Sequence, residues 1–209
     1  MVSSTLALLA FILAFTFNIA VNRFDDRRVA VLDEANAIGT TYLRAEFFEE
    51  PARERIKKLL REYVRVRVNG ISDSDTSAQV VSQSESIQDK LWLEASVLAR
   101  QHTNPICGLF ISSLNEVIDL HAKRVTLSLH TRVPAPVWFT LLAVSGLAMV
   151  GLGYYCGLVG TRSWTEAGIL IATFGVVMWL VADLDRPSAG LVRVDEQPMI
   201  ELNKKLGPP

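Results

Sequence analysis

Apolar and polar positions follow two rhythms along the chain. Three long apolar runs carry no charge, and shorter helices rich in charge lie between and after them. Residues 2–21, 133–161 and 167–182 contain no Lys, Arg, Asp or Glu. About 20 apolar residues make a helix long enough to cross the hydrocarbon core of a bilayer. The runs VSSTLALLAFILAFTFNIAV, PAPVWFTLLAVSGLAMVGLGYYCGLVG and AGILIATFGVVMWLVA therefore predict transmembrane helices over 2–21, 134–160 and 164–182. A cleaved signal peptide is the competing reading of the first run. Against it, no basic residue precedes the run, its apolar stretch is longer than a signal core, and Arg23, Arg27 and Arg28 follow it. In the second run Pro134 and Pro136 suit a helix start, where a missing N–H matters little. Trp138 near one end and Tyr154 and Tyr155 near the other fit interfacial belts. Gly146, Gly151, Gly153 and Gly157 predict a close helix contact. The third run has 16 uncharged residues. It is short for a span, so a re-entrant insertion is its alternative, but it follows the second closely enough to pair with it as a hairpin.

Between the first two runs the apolar period shortens to three and four. Leu32, Ala35, Ile38, Tyr42 and Leu43, then Ile56, Leu59, Leu60, Tyr63 and Val64, predict helices over 22–68. The first of these is expected to continue directly out of the first span, and Pro51 suits the first turn of the next. Residues 69–88, NGISDSDTSAQVVSQSESIQ, show no apolar face and read as a flexible polar linker. Helix resumes near Ser86 with Ile87, Leu91, Ala95 and Leu98 on one face. Thr103, Asn104 and Pro105 break it, and a further helix runs to about Arg132, giving helices across 89–132. Residues 183–209 form a tail. The fold class is an all-α integral membrane protein with three transmembrane helices and a helical cytoplasmic region.

Composition changes this picture little; distribution changes it a great deal. The chain has 21 Lys and Arg against 22 Asp and Glu, a net charge of −1, and 50 % hydrophobic residues. Those averages describe an ordinary soluble domain, and only the segregation of charge excludes one. Balanced charge without a basic stripe excludes a nucleic-acid binder. Of the 21 basic residues, 16 lie in 22–132, the short loop near 160–166 holds Arg162, and the tail holds Arg186, Arg193, Lys204 and Lys205. Basic loops stay on the cytoplasmic side. The N-terminus is therefore expected outside, with the middle region and the tail on the cytoplasmic face of the plasma (inner) membrane.

Candidate chemistry is sparse. Cys107 and Cys156 fit no zinc spacing or disulfide framework. No GxSxG, phosphate-binding glycine loop or HExxH is present, so no enzyme, cofactor or metal is expected. His121 and His130 are nine residues apart and cannot ligate from one helix face; with Asp119 or Cys107 either is more readily an interfacial residue than a site. Two polar clusters stand out: Asp33, Glu34 and Asn36 below the first span, and Asn115, Glu116 and Asp119 on the helix leading to the second. Asn36 and Asn115 either hydrogen-bond across a helix pair and set its register, or belong with the acidic groups to a ring lining a cation vestibule in an oligomer. Phe11, Phe15 and Asn18 fall at i, i+4 and i+7 on one face of the first span. Either they face lipid or core, or they form apolar rings around an oligomer axis, where such rings gate ions by dewetting.

The segment FILAFTFNIAVNRFDDRR has the form Phe-x-Leu-x-Phe with an Arg-aromatic pair eight residues on: Phe11, Leu13, Phe15, Arg23 and Phe24. It resembles the second membrane helix of bestrophins, pentameric ion channels in which matching Phe residues line a hydrophobic neck. RVPAPVWFTLLAV resembles the start of the third bestrophin membrane helix, and DLDRPSAG the acidic stretch after the last. RFDDRR, LDEANAIGTTYLRA, LNEVID and DLDRPSAGLVRV together resemble the bacterial bestrophin-like family of uncharacterised membrane proteins, and that similarity covers most of the chain. It implies a homo-oligomer, a pentamer by analogy, that passes inorganic ions through the bilayer along an axis lined by the first span. Phe11 and Phe15 would form the neck, with Ala7 where a third bulky apolar residue stands in bestrophins. Asn18, Arg23, Asp33, Glu34, Asn36, Asn115 and Glu116 are mouth or vestibule candidates. Acidic residues facing the axis would favour cations, and Arg23, Arg27 and Arg28 at the mouth would favour anions. Bestrophins have four spans and this chain has three, beginning where their second begins. The dense acidic cluster serving calcium control in animal members is reduced to Asp183, Asp185, Asp195 and Glu196. A non-conducting scaffold whose cytoplasmic helices bind a partner is the alternative function.

Overall fold

The computed structural model describes residues 2–70, 77–101, 104–129, 133–160, 164–186 and 190–208. Among them there are seven α-helices and no strand: α1 Val2–Arg44, α2 Ala52–Asn69, α3 Ser77–Gln101, α4 Pro105–Leu129, α5 Ala135–Val159, α6 Trp164–Asp185 and α7 Gln197–Leu206. A short 3-10 turn over Ala45–Phe47 follows α1. Three helices are long and apolar enough to cross a membrane: the N-terminal helix, Ala135–Leu158 and Ala167–Asp185. The protein is thus an all-α membrane protein with three spanning helices. The chain forms two compact units, one of residues 1–25 and 131–193, the other of 26–130 and 194–209.

The first unit packs the apolar half of α1 with α5 and α6. Leu9, Leu13 and Ala20 of α1, Leu141 and Ala148 of α5, and Val181 and Leu184 of α6 are buried together. The α1 positions recur at four and seven, the spacing of one helix face. At its end, α6 is tied down by two carboxylates. Asp185 Oδ1 accepts the Val133 N–H at 2.8 Å, just before α5. Asp183 accepts the Leu191 and Val192 N–H groups, each at 3.0 Å and each on its own oxygen. Asp183 and Asp185 of the DLDRPSAG motif therefore act as backbone clamps in this chain. A Cβ on Gly190 would lie 2.8 Å from Asp183 Oδ1, so only glycine lets the loop come this close. Gly190→Ala is expected to destabilise the clamp by about 1–3 kcal/mol, as overpacking does, read as a lowered melting temperature in detergent. An unchanged melting temperature would show that the clamp does not hold the loop.

Gly146, Gly153 and Gly157 of α5 make no close helix contact among the described residues. A Cβ on Gly146, Gly153 or Gly157 would meet nothing within 4 Å. Small residues permit a close approach but do not specify one.

The second unit buries one face from each of its helices. Ile38 of α1, Ile56, Leu60 and Tyr63 of α2, Leu91 of α3, Phe110 and Leu114 of α4, and Met199 of α7 form its core. Arg44 donates to the Leu109 carbonyl at 2.6 Å, Arg124 to Glu34 at 2.6 Å, and Arg27 to the Leu127 carbonyl at 3.2 Å. The order of these pairs makes α1 and α4 antiparallel. Asn104 caps α4, its Oδ1 accepting the Cys107 N–H at 2.8 Å, which explains the break the sequence shows at that point.

Two sequence expectations need correction. The expected linker over 69–88 is helical from Ser77 onward; residues 71–76 lie outside the described residues. It looked unstructured because its buried positions include Ser84 and Gln88 beside Ile87, so the face that packs is not an apolar one. A Cβ on Gly70 would meet Val80 at 2.8 Å, so the residue that ends α2 also lets α3 approach. The tail, in turn, contains α7. Met199, Leu202 and Leu206 lie three and four apart and pack into the core.

Candidate functional site

Because α1 packs by one face only, its other face is open. Within the first unit Ala7, Phe11, Phe15 and Asn18 are all exposed, Phe11 by 62 % and Phe15 by 58 %. The two rings touch, with centroids 4.8 Å apart and planes tilted by 59°. Asn22 and Asp25 continue the same line and are exposed as well. The sequence-predicted neck residues thus share one face with a change of character along it: aromatic at Phe11 and Phe15, amide at Asn18 and Asn22, carboxylate at Asp25. Arg23 is only partly exposed, and Arg27 is buried against the Leu127 carbonyl.

The vestibule candidates separate in the second unit. Asn36 is exposed and Asp33 half-buried on α1, while Asn115 and Glu116 are exposed on α4. Asn115 donates to Asp119 at 3.0 Å within its own helix. Neither asparagine is a buried amide joining two helices. Glu34 is turned the other way and fully buried. It therefore lies off the open face of α1, and the vestibule role does not suit it.

Around Glu34 the structure assembles a polar network that the sequence did not reveal. Arg124 Nη1 donates to Glu34 Oε2 at 2.6 Å, and its Nη2 to both Glu196 oxygens at 2.8 and 3.1 Å. Arg67 Nε lies 3.4 Å from Glu34 Oε1. The Tyr63 hydroxyl donates to Glu34 Oε1 at 2.6 Å and accepts from Gln88 Nε2 at 3.2 Å. His121 Nδ1 is 3.1 Å from the same hydroxyl. Burial alone would push the Glu34 carboxyl up; the contacts from His121, Arg67, Arg124 and Tyr63 outweigh it and hold the group well below the usual carboxylate range. Burial and the facing Glu34 charge push the Tyr63 hydroxyl well up, so it stays a donor.

The signal for this network was the phase of the charges. Glu34 falls between Ala30 and Ile38 on the buried face of α1, and His121 and Arg124 continue the α4 seam of Phe110, Leu114 and Val117 at three and four. His102 and His130 lie outside the described residues. Among the described residues no group of three or more His, Cys, Asp or Glu side chains could hold a metal.

A family model for the bestrophin-like domain matches residues 1–199 of the chain. The chain belongs to the bestrophin-like family. Its fold matches two crystal structures of a bacterial bestrophin homologue from Klebsiella pneumoniae, each carrying a point mutation. They have TM-scores of 0.73 and 0.74 and 18 % identity, covering 98 % of this chain and 85 % of theirs. A further crystal structure, of a mutated membrane protein, matches with a TM-score of 0.75 and 17 % identity over 98 % of this chain and 84 % of that one. No curated protein matches the chain. At these identities the solved structures establish the bestrophin fold, and the details of the site rest on this chain's own residues.

Proposed function

We propose that this bestrophin-like chain is the subunit of a passive ion channel, a homo-oligomer whose axis is lined by the open face of α1. One observation carries the reading: that face is exposed along the first unit and passes from Phe11 and Phe15 to Asn18, Asn22 and Asp25. A lipid-facing stripe has no use for the Asn18 amide within the span, whereas polar residues in spanning helices face the bundle interior or water; Asn22 and Asp25 continue the same line just past the span. One face of one helix cannot enclose a path, so several copies must surround the axis; the resemblance to bestrophins supports five. The Phe rings form the neck and gate by dewetting. The ion is a cation, because Asp25 is the charged residue on the line while Arg27 is turned into the protein. Asp33, Asn36, Asn115 and Glu116 are wider vestibule positions. The basic residues of 22–132 support a second unit on the cytoplasmic side of the inner membrane.

A non-conducting scaffold keeps one observation in its favour. Leu43, Phe47 and Leu109 are more than half exposed in the second unit, as a partner-binding face would be.

Purified protein in liposomes under a salt gradient separates these readings. Flux that prefers sodium over chloride is expected, and Asp25→Asn is expected to lower that preference severalfold with the oligomer intact. A preference unmoved by Asp25→Asn would take the carboxylate off the path. A monomeric protein, or one without flux, would leave the scaffold.

A further inference from the structure

The hydrogens of the Glu34 network can be counted. Tyr63 has one proton, and it goes to the ionised Glu34 carboxylate at 2.6 Å, which only accepts. The 3.1 Å contact between Tyr63 Oη and His121 Nδ1 therefore needs its proton on Nδ1. The tyrosine oxygen accepts there, as it does from Gln88. Of the two neutral tautomers this selects the one that leaves Nε2 bare. That Nε2 is buried without a hydrogen-bond partner among the described residues, on a side chain only 3 % exposed. Groups from every neighbouring element meet at the ring or at its partners Glu34 and Tyr63. Glu34 of α1 lies 3.8 Å from Nδ1. Tyr63 and Arg67 approach from α2, and the uncharged Gln88 from α3. Arg124 lies on α4 itself, and Glu196 of the C-terminal segment is joined through Arg124. Two carboxylates stand against two guanidiniums, and the cluster is balanced while the imidazole is neutral.

We propose that His121 is a proton-operated switch on the packing of α1. A proton bound at Nε2 makes the ring a cation inside this balanced cluster. It then competes with Arg67 and Arg124 for Glu34 and changes how α1 is held against α2 and α4. Histidine is the side chain whose charge changes between pH 5 and 8, and a buried group whose charge changes moves what it packs against. Glu34 and the Phe11–Phe15 pair lie on one unbroken helix. The effect on flux rests on the channel reading above; the effect on packing does not.

His121→Gln tests this, because the amide keeps a donor for Tyr63 and does not titrate. Melting temperature and liposome flux of both proteins are measured from pH 8 to pH 5.5. The gap between the two melting temperatures is expected to change by several degrees across the range. Wild-type flux is expected to change severalfold while His121→Gln stays flat. Parallel melting curves would overturn the switch whatever the flux does. Diverging melting curves with no flux from either protein would keep the switch and sink the channel. If His121→Gln does not fold, imidazole nitrogen shifts of the wild-type protein decide: a lone Nδ1–H at pH 8 and a second N–H at pH 5.5 are expected, and a neutral ring protonated on Nε2 at pH 8 would end the proposal.

Discussion

Glu34→Ala is expected to destabilise the second unit by about 3–5 kcal/mol, the range for removing one partner from a buried ion pair. The loss comes less from the bonds broken than from what remains. Arg124 and Arg67 are nearly buried, with side chains 14 % and 9 % exposed; Arg67 would face an empty site and Arg124 would keep Glu196 alone. Tyr63 would lose its acceptor. Arg124→Ala is expected to match it, since it removes the guanidinium that Glu34 and Glu196 share. At about 2–4 °C per kcal/mol for a chain of this size, the melting temperature should fall by roughly 10 °C. The sign with pH follows from the depressed carboxyl. Its stabilisation is complete above the ordinary glutamate value of about 4.3 and is lost as pH falls through the lower folded value. The Glu34→Ala deficit should therefore shrink only in strong acid. A deficit under 1 kcal/mol, of the size seen for exposed pairs, would show that water reaches the network.

The double substitution Phe11→Ala/Phe15→Ala is expected to raise ion flux severalfold without unfolding the chain. Both rings are more than half exposed in the subunit, so their loss opens no cavity in the packed core. Exposed substitutions usually stay within about 0.5 kcal/mol. Around an axis, however, two stacked aromatic positions make a constriction that excludes water, and alanine lets it in. Melting temperature and oligomer size should match wild type while liposome flux rises. Flux identical to wild type would move the neck off α1, and a lost oligomer would make the rings a subunit contact instead.

Much of this was legible in the residues. The uncharged runs announce three spans because a bilayer core tolerates no unpaired charge and sets the helix length. The Phe11, Phe15 and Asn18 spacing puts them on one face because a helix repeats every 3.6 residues. The motifs of the bestrophin-like family were visible, and the family match over residues 1–199 bears the resemblance out. The register of α3 was not legible, since its buried face includes Ser84 and Gln88 and polarity hid the period. Nor was the role of Glu34, because a carboxylate beside Asp33 reads as surface until its partners are known.

By itself, then, the chain's order of charge and apolarity determined the class of protein, the number of spans and the one helix face that Phe11, Phe15 and Asn18 share. All of these depend on local composition and helical period. Tertiary structure alone decided that Glu34 meets Arg124, Arg67, Tyr63 and His121, and that Asp183 and Asp185 hold backbone N–H groups. Those partners lie from 8 to 90 residues away in the chain. A buried charge is stable only where such partners converge, and which ones converge is a property of packing rather than of sequence spacing.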